Sequence, residues 1–305
     1  MELIQQLSQE LKLRPAQVEA AVRLLDEGNT IPFIARYRKE MTDSLDDAAL
    51  RDLSDRLEYL RNLQKRREEV IRSITEQEKL TPELETAIQA AATLAEVEDL
   101  YRPYKPKRRT RGSIAREKGL EPLAAAIRVQ NTLREPLSMA AKYVNPEKGV
   151  ETAEDALSGA MDIIAEDISD DGEIRKALRL LIHRAAVVTA TGDSTENTTY
   201  KMYYDFKEPV GRIAPHRVLA INRGEKEGFL KTAIVLEEEK ALEAIRRKTV
   251  IANNACGRAV MEAAADSWKR LIAPSMENET FRELFENASE QAIRVFAENL
   301  HHLLM

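Results

Sequence analysis

Residues 45–80 read LDDAALRDLSDRLEYLRNLQKRREEVIRSITEQEKL, and their periodicity decides the fold class. Leu50, Leu53, Leu57 and Leu60 alternate by three and four, and Ile71 and Ile74 fall in the same register, which is the spacing of one face of an α-helix. Gln64 and Arg67 interrupt that seam, while Leu63 and Val70 carry the apolar stripe onto the neighbouring face. Asp43 or Ser44 is placed to cap the helix, and Asp46 and Asp47 complement its N-terminal dipole. A helix of about 36 residues would span on the order of 54 Å. That is longer than one small core can cover, so the helix is expected to bridge two packed regions.

Outward from this helix the pattern stays helical. Towards the N-terminus, Leu3, Ile4, Leu7 and Leu11 share a face, Pro15 starts a second helix closed by Gly28, and Pro32 lies in the first turn of a third. Three short helices in 1–44 are compatible with a helix-turn-helix-like unit. Towards the C-terminus, Thr81 and Thr93 cap further helices, and helices are predicted over 121–130, 136–144 and 151–169. Between Glu151 and Glu173 there are nine acidic residues and no basic ones; helical spacing explains them as a solvated face rather than a metal site. The period changes at Val187–Thr191, which is β-rich, and Phe229–Leu236 alternates, so a small β-containing element is expected over 186–237. Helices resume near Glu238, with 255–271 and 276–304 the longest. The expected architecture is mainly α: a helix-turn-helix-like unit 1–44, a helical domain 45–185, the β-containing element 186–237 and C-terminal helices 238–305.

Composition narrows the function. Hydrophobic residues at 43% and charged residues at 32% describe a globular chain with a heavily solvated surface. A net charge of -6 argues against a general polyanion-binding coat, so any such contact must be local. The single cysteine, Cys256, allows no intrachain disulfide and fits a small buried hydrophobe in a reducing compartment. The N-terminus does not read as a signal peptide, and no apolar run approaches the roughly 18 residues of a membrane span. A cytoplasmic protein without membrane contact is expected. No phosphate-binding glycine loop, nucleophile elbow or His-Glu-x-x-His occurs, and His183 and His216 are weak candidates, so neither enzymatic activity nor a cofactor or metal is expected.

The largest charge anomaly is Arg102-Pro-Tyr-Lys-Pro-Lys-Arg-Arg-Thr-Arg-Gly-Ser-Ile-Ala-Arg-Glu-Lys118, in which eight residues are Lys or Arg and only Glu117 is acidic. Pro103 and Pro106 are expected to hold it extended and Gly112 to let it turn. Such a strand can present Arg102, Lys105, Lys107, Arg108, Arg109, Arg111 and Arg116 to phosphates, and Tyr101 and Tyr104 could stack an unpaired base. The alternative is an internal clamp, with these arginines pairing to the acidic 151–173 helix, and the two can hold for different residues. Arg36, Arg38 and Lys39 form a secondary basic patch.

Gly28-Asn-Thr-Ile-Pro-Phe-Ile-Ala-Arg-Tyr-Arg-Lys-Glu40 resembles the N-terminal signature of the Tex family of transcription accessory proteins. So do Leu100–Arg111, Ile114–Leu123, His216-Arg-Val-Leu-Ala-Ile-Asn-Arg-Gly-Glu225 and Asp266-Ser-Trp-Lys-Arg-Leu-Ile272, which together extend the resemblance along nearly the whole chain. Asp43 stands where glycine would be expected and Gly112 where alanine is common, and neither alters the charge pattern. The resemblance implies a nucleic-acid-associated scaffold acting in transcription or RNA handling, with RNA or DNA, and the transcription machinery, as partners. It further implies that an RNase-H-like domain, helix-hairpin-helix elements and an RNA-binding OB-fold domain belong after Met305, so that the chain corresponds to the N-terminal region alone. The other reading of the same helices is a protein-interaction module that docks on transcription or translation machinery or on those further domains.

Overall fold

The computed structural model describes residues 2–105, 109–193 and 198–304, and it is mainly helical. The chain divides into two compact units, residues 1–104 and 105–305.

In the first unit the long helix is α4, Asp47–Glu76; it follows α1 (Glu2–Leu11), α2 (Pro15–Asp26) and α3 (Ile31–Tyr37). It is shorter than its hydrophobic pattern, at 30 residues and about 45 Å. Asp43 and Ser44 do not cap it. Both sit in the left-handed region, at φ 50° and 63°, and form the turn that leads in. An N-cap needs extended backbone, and Asp46 supplies it, its Oδ1 accepting from the Ala49 N–H at 2.8 Å. The left-handed position at Asp43 is the reason glycine is the expected residue there. At the far end Glu78 turns left-handed, at φ 55°, and Lys79 N–H closes back on the Ile74 carbonyl.

The bridging expectation holds inside this unit. Leu50, Leu53, Leu57 and Leu60 pack with Leu7, Val18, Leu24 and Ile34 of α1–α3. Leu63, Val70 and Ile74 form a second core with Ile88 of α5 (Pro82–Ala90) and Val97 and Tyr101 of α6 (Leu94–Tyr101). Each such side chain, fully removed from water, contributes roughly 1.5–3 kcal/mol before chain entropy is counted.

The second unit is organised around α10 (Ala153–Asp170). It contacts α7 (Arg111–Glu117), α8 (Glu121–Val129), α9 (Pro136–Ala140), α11 (Gly172–Ala185) and α14 (Ala255–Ser267). Thr152 and Asp155 form a capping box at its start, and Ala156, Ala160, Ile163, Ile164 and Ala165 are fully buried. The β element is a three-stranded antiparallel sheet in the order β2 (Asp205–Pro209), β1 (Val187–Thr191), β3 (Lys231–Val235), with Thr189 opposite Lys207 on one side and Ala233 on the other. Helix α12 (Pro215–Lys226) lies between β2 and β3 in the chain, and α13 (Glu238–Thr249) follows β3. The predicted gap between the last two helices is not a break. Residues Trp268–Ile272 form a π turn that joins α14 to α15 (Ala273–Leu304). The wider turn accommodates Pro274, which lacks an N–H and would crowd the preceding α-turn.

Two sequence expectations are corrected here. The acidic stripe of α10 is not a solvated face: Glu166 is buried, and Asp162 and Asp167 are largely covered. The basic segment is not extended where it is described. Arg102–Tyr104 is a 3-10 turn, and Thr110 caps α7 in a capping box with Ser113. A competent cap and a run of residues with no β-branched excess outweigh the extended bias left by the prolines, which both precede it.

Gly257 makes a local test of packing. The N-cap Asn254 accepts its N–H through Oδ1 at 2.8 Å, and a Cβ at 257 would run into the Ala252 carbonyl oxygen. That carbonyl cannot withdraw easily, because the fully enclosed Gln130 amide bonds its neighbours: Gln130 Oε1 accepts from Ile251 and Ala252 N–H, and Nε2 donates to the Thr249 carbonyl. Gly257→Ala is therefore expected to destabilise by about 1–3 kcal/mol in urea unfolding, with unchanged m-value.

Candidate nucleic-acid interface

The start of the basic segment is held by the first unit. Tyr101 is buried, its hydroxyl 3.0 Å from Ser73 Oγ and its ring beneath the Arg66 guanidinium. Gln77 Nε2 donates to the Tyr104 carbonyl at 2.9 Å, and the Tyr104 ring packs against the same core. Neither ring is presented for stacking, which corrects that expectation; Tyr101 has the helical spacing of a core residue. Arg102 is half-buried on the 3-10 turn.

The cations that follow diverge in role. Lys105 is exposed, and Lys107 and Arg108 lie outside the described residues. Arg109 is 72% exposed and meets the exposed Glu117 carboxylate at 3.5 Å, a loose pair worth roughly 0–1 kcal/mol. Arg111 is exposed in the first turn of α7, near enough to Asp162 to pull that carboxyl down against its burial.

Arg116, one helical turn further on, belongs to a clamp. Its Nη1 donates to Glu166 Oε2 at 2.8 Å, its Nη2 to Asp167 Oδ1 at 2.5 Å and its Nε to Glu121 Oε2 at 2.7 Å. Arg128 adds a 2.7 Å bond to Asp167 from α8, and Arg270 bridges Asp162 and Asp266. Gly112 allows this docking, since a Cβ there would strike Glu166 Oε2. Burial opposes the charge on Arg116, but Asp167, Glu121 and Glu166 outweigh it and raise its pKa. Burial also raises the carboxyls of Asp162 and Asp167, against the pull of their arginines. Arg116 spends its donors on α10 and on Glu121 of α8, as the clamp alternative expects, while Lys105, Arg109 and Arg111 face solvent.

In the first unit Arg36, Arg38 and Lys39 are all exposed at the end of α3 and in the turn after it. Phe33 and Tyr37 stand among them with ring centroids 5.3 Å apart, and Arg38 lies over the Phe33 ring at 5.2 Å. Sequence reasoning missed these rings, although their spacing of four within a basic run was the available signal. The weak histidines remain peripheral: His183 is exposed with Nε2 3.5 Å from Glu283, and His216 is exposed in the first turn of α12. Among the described residues no helix is long and apolar enough to cross a membrane.

Comparison with known proteins agrees with this architecture. A family profile described as a Tex-like protein N-terminal domain matches residues 1–75, and one described as Tex central region-like matches residues 131–296. The chain is 46% identical over 309 residues to the uncharacterized protein YdcI of Bacillus subtilis, covering 99% of this chain and 43% of that protein. It is 38% identical over 316 residues to the transcriptional accessory protein Tex of Neisseria gonorrhoeae, covering 100% of this chain and 41% of that one. It is 29% identical over 323 residues to the human S1 RNA-binding domain-containing protein 1, of which it covers 32%. The chain spans about two fifths of the length of these bacterial relatives.

Proposed function

Because the chain belongs to the Tex family, we propose that it is a non-catalytic, cytoplasmic, nucleic-acid-associated scaffold whose residues 102–111 neutralise RNA or DNA phosphates without regard to sequence. The observation that carries this reading is the local charge: eight Lys or Arg against one acid in 102–118 of a chain of net charge -6, with Lys105, Arg109 and Arg111 facing solvent. The names of two relatives, an S1 RNA-binding domain-containing protein and a transcriptional accessory protein, support it.

Fluorescence anisotropy with single-stranded RNA, single-stranded DNA and duplex DNA tests the reading. If three or four phosphates are neutralised on a single strand, affinity falls roughly 15- to 50-fold between about 50 and about 200 mM salt. Changing Lys107, Arg108, Arg109 and Arg111 together to Gln is expected to weaken binding and reduce that response while leaving the circular dichroism spectrum unchanged. Absence of any binding at low salt sinks the proposal.

A second reading, a module that docks on the transcription or translation machinery or on the further segments of the longer relatives, is favoured by one observation. The last turns of α15 expose Ile293, Phe296, Leu300 and Leu303 at three- and four-residue spacing. A chain that fails to bind nucleic acid but stays folded would favour this reading.

A further inference from the structure

We propose that residues 33–39 form a stacking site for an unpaired base of a single-stranded nucleic acid, with Tyr37 as the platform and Arg36, Arg38 and Lys39 gripping the flanking phosphates. This site lies in the first unit, separate in sequence from the basic segment, and shares with the reading above only the class of ligand.

The sequence places the groups. Helix α3 is seven residues long, and Ile34 is fully buried, anchoring it on the core with α4. Phe33 and Tyr37, four apart, then fall on one side of the helix and meet with planes tilted at 44°. Phe33 is already partnered, since the Arg38 guanidinium lies over its ring. Tyr37 is not covered. It is 66% exposed, and among the described residues its hydroxyl makes no hydrogen bond. An aromatic ring left in water gives up the burial its size could supply, so an exposed one backed by a second ring is a surface ready for a flat partner.

The cations are held where phosphates would pass. Arg38 donates to the Tyr37 carbonyl at 3.3 Å, and its own carbonyl accepts from Thr42 N–H. The Lys39 carbonyl accepts from Ser44 N–H at 2.8 Å. Thr42 is buried, and Gln17 of α2 donates to the Asp43 carbonyl at 3.1 Å, which pins the turn. Among the described residues Arg36, Arg38 and Lys39 make no ion pair; the only acidic residue in 33–40 is Glu40. Three cations without carboxylate partners around a bare ring match a polyanion that also offers a π face. A duplex hides those faces inside its stack, so the ligand is a single strand.

The test uses the full chain, a short labelled oligouridylate, a short labelled oligothymidylate and a labelled duplex. Tyr37→Ala is expected to weaken single-strand binding by roughly 5- to 150-fold and to leave duplex binding unchanged. Tyr37→Trp is expected to keep it. Replacing Arg36, Arg38 and Lys39 together by Gln is expected to weaken both ligands and to flatten the single-strand salt slope by about 2. Because Tyr37 is exposed, the alanine variant is expected to keep the parent melting temperature, which rules out misfolding as the cause. A Tyr37→Ala chain that binds single strands as the parent does, while the basic-segment variant loses them, overturns this proposal alone. Equal weakening on single strand and duplex also overturns it. A parent chain that binds neither ligand at low salt overturns it together with the phosphate-contact reading.

Discussion

Arg116→Met is expected to cost about 3 kcal/mol of stability near neutral pH while leaving the affinity of the folded protein for nucleic acid unchanged. The guanidinium donates to three carboxylates, and the Glu166 side chain is only 9% exposed, so methionine removes a cation from beside one charge that water barely reaches. Removing one partner of a buried pair costs roughly 3–5 kcal/mol, and the low end applies because Arg116 is itself partly exposed to water and Arg128 still bonds Asp167. The pH dependence follows from the carboxyls. Burial holds Asp162 and Asp167 above their ordinary 3.8 in the folded chain, so they favour the folded state fully below that value and lose this contribution as pH rises through the raised one. Losing Arg116 raises Asp167 further, so the deficit of the variant is expected to be largest near pH 7 and to narrow as the solution is acidified. Urea unfolding across pH measures this. A variant of parental stability that has lost nucleic-acid affinity would return Arg116 to the phosphate-binding set.

Glu279→Gln is expected to cost a similar amount, about 3 kcal/mol, with the opposite origin. Glu279 on α15 accepts from Arg175 at 2.8 Å and from Arg179 at 2.7 Å, and Arg175 is fully buried on α11. Burial raises the Glu279 carboxyl, but the two arginines outweigh it and hold it below its ordinary 4.5. A depressed folded-state pKa contributes stability that is present above the ordinary value and lost as pH falls through the depressed one. The parent is therefore expected to lose this contribution on acidification below about 4.5, and the variant, which never has it, to show a smaller pH slope there. Parallel slopes in the two proteins would show that Glu279 does not carry the linkage. This prediction also bears on the terminal helix, because the same pair ties its first half to α11 while its last turns expose an apolar stripe.

What the sequence determined by itself was local or periodic. The leucine seam of 50–60 and the stripe of Leu63, Val70 and Ile74 after it specified α4 and its two cores, because burying one face of a helix needs only the repeat of 3.6. The β-branched run at 187–191 marked the strand that became the centre of the sheet. The charge of 102–118 was legible as composition, and so was the single buried cysteine.

Tertiary structure alone decided how those charges are used. The acidic residues of α10 read as a solvated face, since a helical period says which residues share a side but not what lies opposite it. The approach of α7, permitted by Gly112, buries Glu166 and claims Arg116 from the set of free cations. The helix ends likewise depended on single left-handed residues, Asp43, Ser44 and Glu78, whose conformation no hydrophobic repeat encodes. Tyr101 and Tyr37 show the same limit: both are tyrosines beside arginine, yet one fills a core and the other stands in water. Burial is a property of what packs around a residue, and that is fixed only when distant segments meet.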